Sequence, residues 1–432
     1  MNKPTRTENQ DNPGWIWRHW HWWLLIIGLA LRVALCLTVD RESAFYGWDG
    51  KEYHGYAQSL LAGHGDDYPR YFNNVRPPLY PIFLIPFVAI STKIIWHIQL
   101  AQSLLGILQA VILAKIAGRW AGQKAGDWAF VIVLLHPFLI YNAPFVMTET
   151  LFITLLWGGV LCLQYLMDGE RPMKWLTASG LLLALGCLTR PTLQLFLPVA
   201  ALWIGWLAWK QSNWLAALKR MVLFTTLVSV VLLPFLFRNV RLYGEFTLAP
   251  RAAQLVYAQS NSIDYLRAYE AKTKSEYYEA QNRYHARLSV NSNVTPEQWM
   301  NEVRDFQKNH RAEWWRLQWY KFRHFWTPWV NPLIFPRSQF LLSLFAVTPL
   351  FIGALVELLR RRKLDAFLVL LLGVVVVGYL VGGFLFHVAV RYRIPFVDVA
   401  FIVLTASFLG QLDFTRIFSL KPFKREAQAQ AI

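Results

Sequence analysis

Apolar residues in this chain gather into long, nearly unbroken runs instead of the spaced stripes of amphipathic helices. A helix needs about 20 residues to cross the hydrocarbon core of a bilayer. Runs near that length fall at 21–39, 96–117, 127–143, 149–167, 174–189, 193–209, 219–237, 339–359, 365–386 and 394–411. Each predicts a membrane-spanning helix. A shorter run, Leu79 to Ile90, contains Pro81 and Pro86 and follows Pro77 and Pro78. It is too short to cross and predicts a re-entrant or interfacial helix on one membrane face. The expected fold is all-α: a polytopic transmembrane helical bundle of about ten spans, with room for more. Juxtamembrane helices and a mainly helical extracytoplasmic loop complete it.

Polar stretches divide the chain. Residues 1–237 form an N-terminal transmembrane region with a first external loop at 40–78, and 238–338 form a large extracytoplasmic loop. Residues 339–411 form the C-terminal spans, and 412–432 a basic tail. Lys and Arg mark the cytoplasmic side of a membrane protein. Ten crossings put Arg119 and Lys124, Arg171 and Lys174, Lys210, Lys219 and Arg220, the run Arg360 to Lys363, and both basic tails on one side. Both termini are therefore expected in the cytoplasm. Within the long loop, 264–310 reads as helical and soluble. Residues 310–329, with Trp314, Trp315, Trp319, Trp326 and Trp329 among Arg and Lys, read as a helix in the membrane interface.

Composition agrees with a membrane protein. Of 432 residues, 55% are hydrophobic and 16% charged, against about a quarter charged in soluble domains. The net charge of +17 is scattered between apolar runs and not gathered on one soluble face, which points to lipid and away from nucleic acid. Cys36, Cys162 and Cys187 all lie in apolar stretches, so no disulfide framework or zinc pattern is read. The first run, from near Trp22, is read as a retained signal anchor. No internal repeat of the kind that builds inverted-repeat transporters is visible.

Ionisable residues collect at the outer ends of the spans. Asp49 stands before a short helix, with Glu52 three residues on in capping-box spacing and Tyr53 one turn on. Arg76 precedes Pro77 and suits either a phosphate ligand or an interface anchor. Glu149 opens a span, where a helix dipole alone favours an acid. Arg190 ends another span, Arg238 and Arg241 open the large loop, and Arg391 and Arg393 precede the last span. Several arginines meeting two carboxylates on one side suggest a site.

In order along the chain, WDGKEYHGYAQSLLAGHG, RPPLYP, MTETLF, LTRPT, FRNVRLYGEF and RYRIPF resemble the motifs of the GT-C superfamily of integral-membrane glycosyltransferases. The similarity is to glycosyltransferase family 39, with its protein O-mannosyltransferases and lipid A aminoarabinose transferases, and it covers nearly the whole chain. It implies that Asp49 is the catalytic aspartate of the first external loop and that Arg76 contacts a donor phosphate. It also implies that Glu149 is the second acidic position and that Arg391, Tyr392 and Pro395 are the late Arg-Tyr-x-x-Pro. One departure is visible: many protein O-mannosyltransferases carry adjacent acidic residues at the first site, whereas Gly50 follows Asp49.

The activity so implied moves a sugar from a polyprenyl-phosphate donor to an acceptor hydroxyl or phosphate on the extracytoplasmic side, with inversion. Asp49 would act as base, and Arg76, Arg391 and Arg190 would meet the leaving phosphate. Tyr53, His54, Glu149 and Tyr392 are secondary substrate-binding candidates. No cofactor or metal is expected. The expected partners are the lipid-linked sugar, an envelope acceptor (glycolipid, protein or polysaccharide) and membrane lipids, in a bacterial plasma (inner) membrane. The alternatives are a lipid-linked-glycan polymerase or ligase, and a non-enzymatic lipid-glycan transporter.

Overall fold

The computed structural model describes residues 17–45, 48–65, 76–93, 95–248, 252–287, 295–386 and 388–412. The basic tail therefore lies almost wholly outside the described residues. All ten apolar runs are helical, and no strand occurs among the described residues. The chain is an all-α integral membrane protein.

Among the described residues, eight helices are long and apolar enough to cross a membrane. The other two runs fall short for local reasons. Pro172–Thr189 opens with Pro172 and Lys174. The 127–143 run is split into Gln123–Leu135 and Pro137–Tyr141, because Pro137 has no N–H to continue the ladder. Leu79–Ile90 is a 12-residue helix packed on the Trp48–Leu61 helix. The last span, Val390–Gly410, is the centre of the bundle, with 83% of its apolar window buried, against 22% for His19–Thr38 and Trp214–Tyr243. Those two present long apolar faces outward, where lipid tails supply the missing contacts.

The break at Pro137 explains a charge that the sequence pattern passes over. Arg32, mid-way along the first span, is fully buried. Its guanidinium donates to Gly28 O at 2.9 Å, Leu134 O at 3.0 Å and Val133 O at 3.3 Å. Val133 O is the acceptor that a residue-137 N–H would have served, so Arg32 caps the broken helix across the interface. A Cβ at position 106 would lie 2.7 Å from Arg32 Nε, so Gly106 makes room for the side chain. Arg32→Met is expected to cost about 1–3 kcal/mol per stranded carbonyl, read as a fall of several degrees in melting temperature in detergent. An unchanged melt would show that water replaces the guanidinium.

The large loop folds as Ala252–Ser260, Ile263–Glu270, Lys274–Arg287, Pro296–Asn309 and Arg311–Trp326. Its small apolar clusters centre on Trp299 and on Leu266, Phe306 and Leu317. Trp315 and Trp319 stay exposed on one face of the Arg311 helix. Two buried cations tie the loop to the bundle. Lys321 Nζ donates to Phe384 O at 2.6 Å and to Ser260 O and Asn261 Oδ1 at 3.4 Å. Arg393 pairs with Asp398 at 2.7 Å and donates to Phe325 O, Thr327 O and Pro328 O, satisfying the end of the Arg311 helix.

Candidate active site

The Trp48–Leu61 helix supplies Asp49 and Glu52, three residues apart on one face. Asp49 lies inside the first turn of that helix, so the expected capping box with Glu52 is not the arrangement found. Both carboxylates turn instead to Arg76, whose backbone enters the stiff Pro77-Pro78 step. Arg76 Nη2 reaches Asp49 Oδ1 at 2.8 Å, and Nε reaches Glu52 Oε2 at 2.5 Å. The other Asp49 oxygen accepts from Arg391 Nη1 at 3.0 Å. Asp49 is thus gripped between two guanidinium groups that the chain brings in from 27 and 342 residues away.

Gly50 has its own reason. A Cβ there would press against the Phe45 carbonyl oxygen, which already accepts from Gly50 N. A second acidic side chain beside Asp49 therefore has no room.

A second ion pair adjoins the first. Arg190, just past the Pro172–Thr189 helix, donates to Glu149 Oε1 at 3.1 Å. Its guanidinium lies 5.0 Å from the Tyr392 ring centroid, and Arg391 lies 5.1 Å from the same ring. Tyr392 OH accepts from Arg391 Nη2 at 3.3 Å. The buried Tyr53 ring sits under Arg76 at 5.3 Å. Asp49, Arg76, Glu149, Arg190, Arg391, Tyr53 and Tyr392 therefore share one locality. His54 packs elsewhere: it is buried against Phe45, 5.4 Å between ring centroids. Arg238 is spent on Gly65 O at 3.2 Å.

Burial pushes the Asp49 carboxyl up, but Arg76 and Arg391 together hold it below the ordinary carboxylate range. Glu52 goes the other way: burial raises it, with Asp49 adding to the rise, and Arg76 offsets only part. The Arg76 guanidinium is disfavoured by burial yet held firmly protonated by its acidic neighbours. Asp49, Glu149 and Arg391 line a cavity of about 1210 Å³, at the large end for a ligand site. Phe138, Phe145 and Leu342 give it an apolar side, and Tyr265, Tyr269 and Tyr277 of the loop give it a hydroxyl-bearing side.

Three features escaped the sequence reading. Glu52 is a ligand of Arg76, and only its spacing from Asp49 hinted at a role. Arg393 clamps the loop. The loop tyrosines show in sequence only as Tyr265 and Tyr269 one helical turn apart.

The family whose model matches residues 75–237 is described as dolichyl-phosphate-mannose-protein mannosyltransferase. Across that stretch the resemblance read from the motifs is borne out; it takes in Arg76, Glu149 and Arg190 and leaves out Asp49 and Arg391. No curated protein matches the chain. Two solved structures are similar to it. ArnT from Cupriavidus metallidurans in the apo state is 14% identical, with 90% of this chain and 76% of that one covered and a TM-score of 0.40. ArnT bound to undecaprenyl phosphate is 15% identical, with 90% and 77% covered and a TM-score of 0.36.

Proposed function

We propose that the chain is a GT-C-type membrane glycosyltransferase. It moves a sugar from a polyprenyl-phosphate donor to an acceptor hydroxyl or phosphate on the extracytoplasmic side, inverting the anomeric carbon. The observation that carries this reading is Asp49 held between Arg76 and Arg391 on the wall of the large cavity. One group suits removal of a proton from an attacking oxygen, and the others suit a leaving phosphate. The matching family's description, which names a dolichyl-phosphate sugar, supports the donor class.

Each Asp49 oxygen accepts from one guanidinium. A donor phosphate competes for the same N–H groups with bidentate geometry. Asp49 then keeps lone pairs for the acceptor hydroxyl. The hydroxyl proton passes to Asp49 as its oxygen bonds to the anomeric carbon. The bond from that carbon to the phosphate oxygen breaks, and its electron pair leaves with the lipid phosphate. Fixed guanidinium charge where negative charge grows is commonly the largest catalytic contribution. The reaction as proposed uses no metal or other cofactor.

Orientation has its own support. Gln339 and Leu342, early in the Arg337–Arg360 helix, line the cavity, while Arg360 to Lys363 stand at its far end. At about 1.5 Å per residue that helix separates them by roughly one hydrocarbon thickness. With the basic end in the cytoplasm, the cavity faces out of a bacterial plasma membrane and both termini face in.

The test is transfer of labelled sugar from a polyprenyl-phosphate donor by purified protein in liposomes, followed against pH. A base works deprotonated, so rate is lost as pH falls through its pKa. With Asp49 held below its ordinary value of 3.8, kcat/KM is expected to stay flat from neutrality to below about pH 4. An acid limb near pH 6 would remove Asp49 as base, and no transfer from any such donor would remove the function.

A further inference from the structure

The hydroxyl-bearing side of the cavity has no part in the chemistry above, yet it is built with care. Tyr265 and Tyr269 stand one turn apart on the Ile263–Glu270 helix, rings edge to face at 5.3 Å. Tyr269 stacks on His324 of the Arg311 helix at 5.0 Å. Its hydroxyl accepts from Val388 N at 3.3 Å, three residues before Arg391, which locks the wall to the catalytic span. Tyr277 joins from the next loop helix, its hydroxyl accepting from Gln281 at 2.8 Å.

We propose that the wall formed by Tyr265, Tyr269, Tyr277 and His324 is a subsite for a sugar ring that carries no free amine. The inference rests on the glycosyltransferase reading and narrows its substrate. Aromatic faces cover the C–H faces of a sugar, and phenol hydroxyls serve its hydroxyls as donors or acceptors. The wall also stays uncharged. Burial, then neighbouring tyrosines, raises the Tyr265 phenol, and burial pushes Tyr277 up to about 12. Burial, with Arg323 beside it, lowers His324. Among the described lining residues the carboxylates are Asp49 and Glu149, each already paired with arginine, and the cations are Arg323 and Arg391. Among the described lining residues, a sugar ammonium at this wall would meet two guanidinium groups, a Glu149 paired with Arg190, and an Asp49 whose free lone pairs face the acceptor hydroxyl. A neutral ring asks for no counter-charge and meets aromatic rings and phenol hydroxyls.

The ring belongs either to the donor or to the acceptor, and one set of measurements separates them. Full-length protein in phosphatidylcholine nanodiscs is titrated with undecaprenyl phosphate, its glucose ester and its glucosamine ester. It is titrated separately with methyl glucoside and methyl glucosaminide. The native chain is compared with Y265F/Y277F, which keeps the rings and removes two hydroxyls. A donor subsite is expected to bind the glucose ester at least tenfold tighter than the other two lipids, an advantage that the variant loses. An acceptor subsite leaves lipid affinities alone and loses at least tenfold in methyl glucoside affinity in the variant. Unchanged affinities throughout, or amino sugars bound as tightly as neutral ones, overturn the proposal. Should the native chain bind no undecaprenyl phosphate species, it is the transferase reading that fails, and the methyl glucoside arm still decides the wall.

Discussion

Asp49→Asn is expected to lower kcat by about 10²–10⁴-fold, the usual weight of a positioned general base, while the protein still inserts and folds. Asparagine keeps the shape, and its carbonyl oxygen still accepts from Arg76 or Arg391. What it loses is the charge that takes the proton. Single-turnover transfer with saturating donor separates this loss from weakened binding. Full activity would reject the base assignment. Loss of folded protein would mean that the carboxylate serves to neutralise two half-buried guanidinium groups.

Arg76→Met is expected to do more harm than its place beside a phosphate suggests. The structure shows Arg76 as the partner of Glu52, which is 5% exposed and already raised in pKa by burial. Removing one member of a fully buried pair costs about 3–5 kcal/mol, because the other is left uncompensated; here Glu52 is buried but Arg76 is 24% exposed, so the cost falls below that range. The single variant should therefore give less folded protein than the native chain. Adding Glu52→Gln removes the stranded charge and should restore yield and melting temperature without restoring donor affinity. If the double variant is fully active, Arg76 is a structural residue. If the single variant is as stable as the native chain, Glu52 has simply taken a proton.

Much of this was legible in the sequence, for physical reasons that differ by element. Spans are legible because an apolar run has no other stable home. The spans at 96–117 and 394–411 needed only hydropathy. The meeting of Asp49, Arg76 and Arg391 was inferable because polar residues at the same end of many spans share a narrow layer. Side-chain partners within that layer were not. Nothing in the order of residues says whether Asp49 caps its own helix or is taken up by arginines 27 and 342 positions away. His54 lies in the same motif as Asp49 but packs against Phe45. Arg32 was hidden inside a run whose average outweighs one charge. Its partners exist only because a proline a hundred positions later breaks another helix.

That last pairing has a consequence for how the protein is made. Arg32 and its acceptor Leu134 O are 102 residues apart. At roughly 5–20 residues per second of synthesis, about 5–20 s pass before the acceptor exists. During that interval the first helix holds a guanidinium with no partner beyond its own turn, at a cost of about 2.5–3.5 kcal/mol at mid-bilayer. The helix that carries Arg32 therefore gains its last partners only once the broken helix has been made.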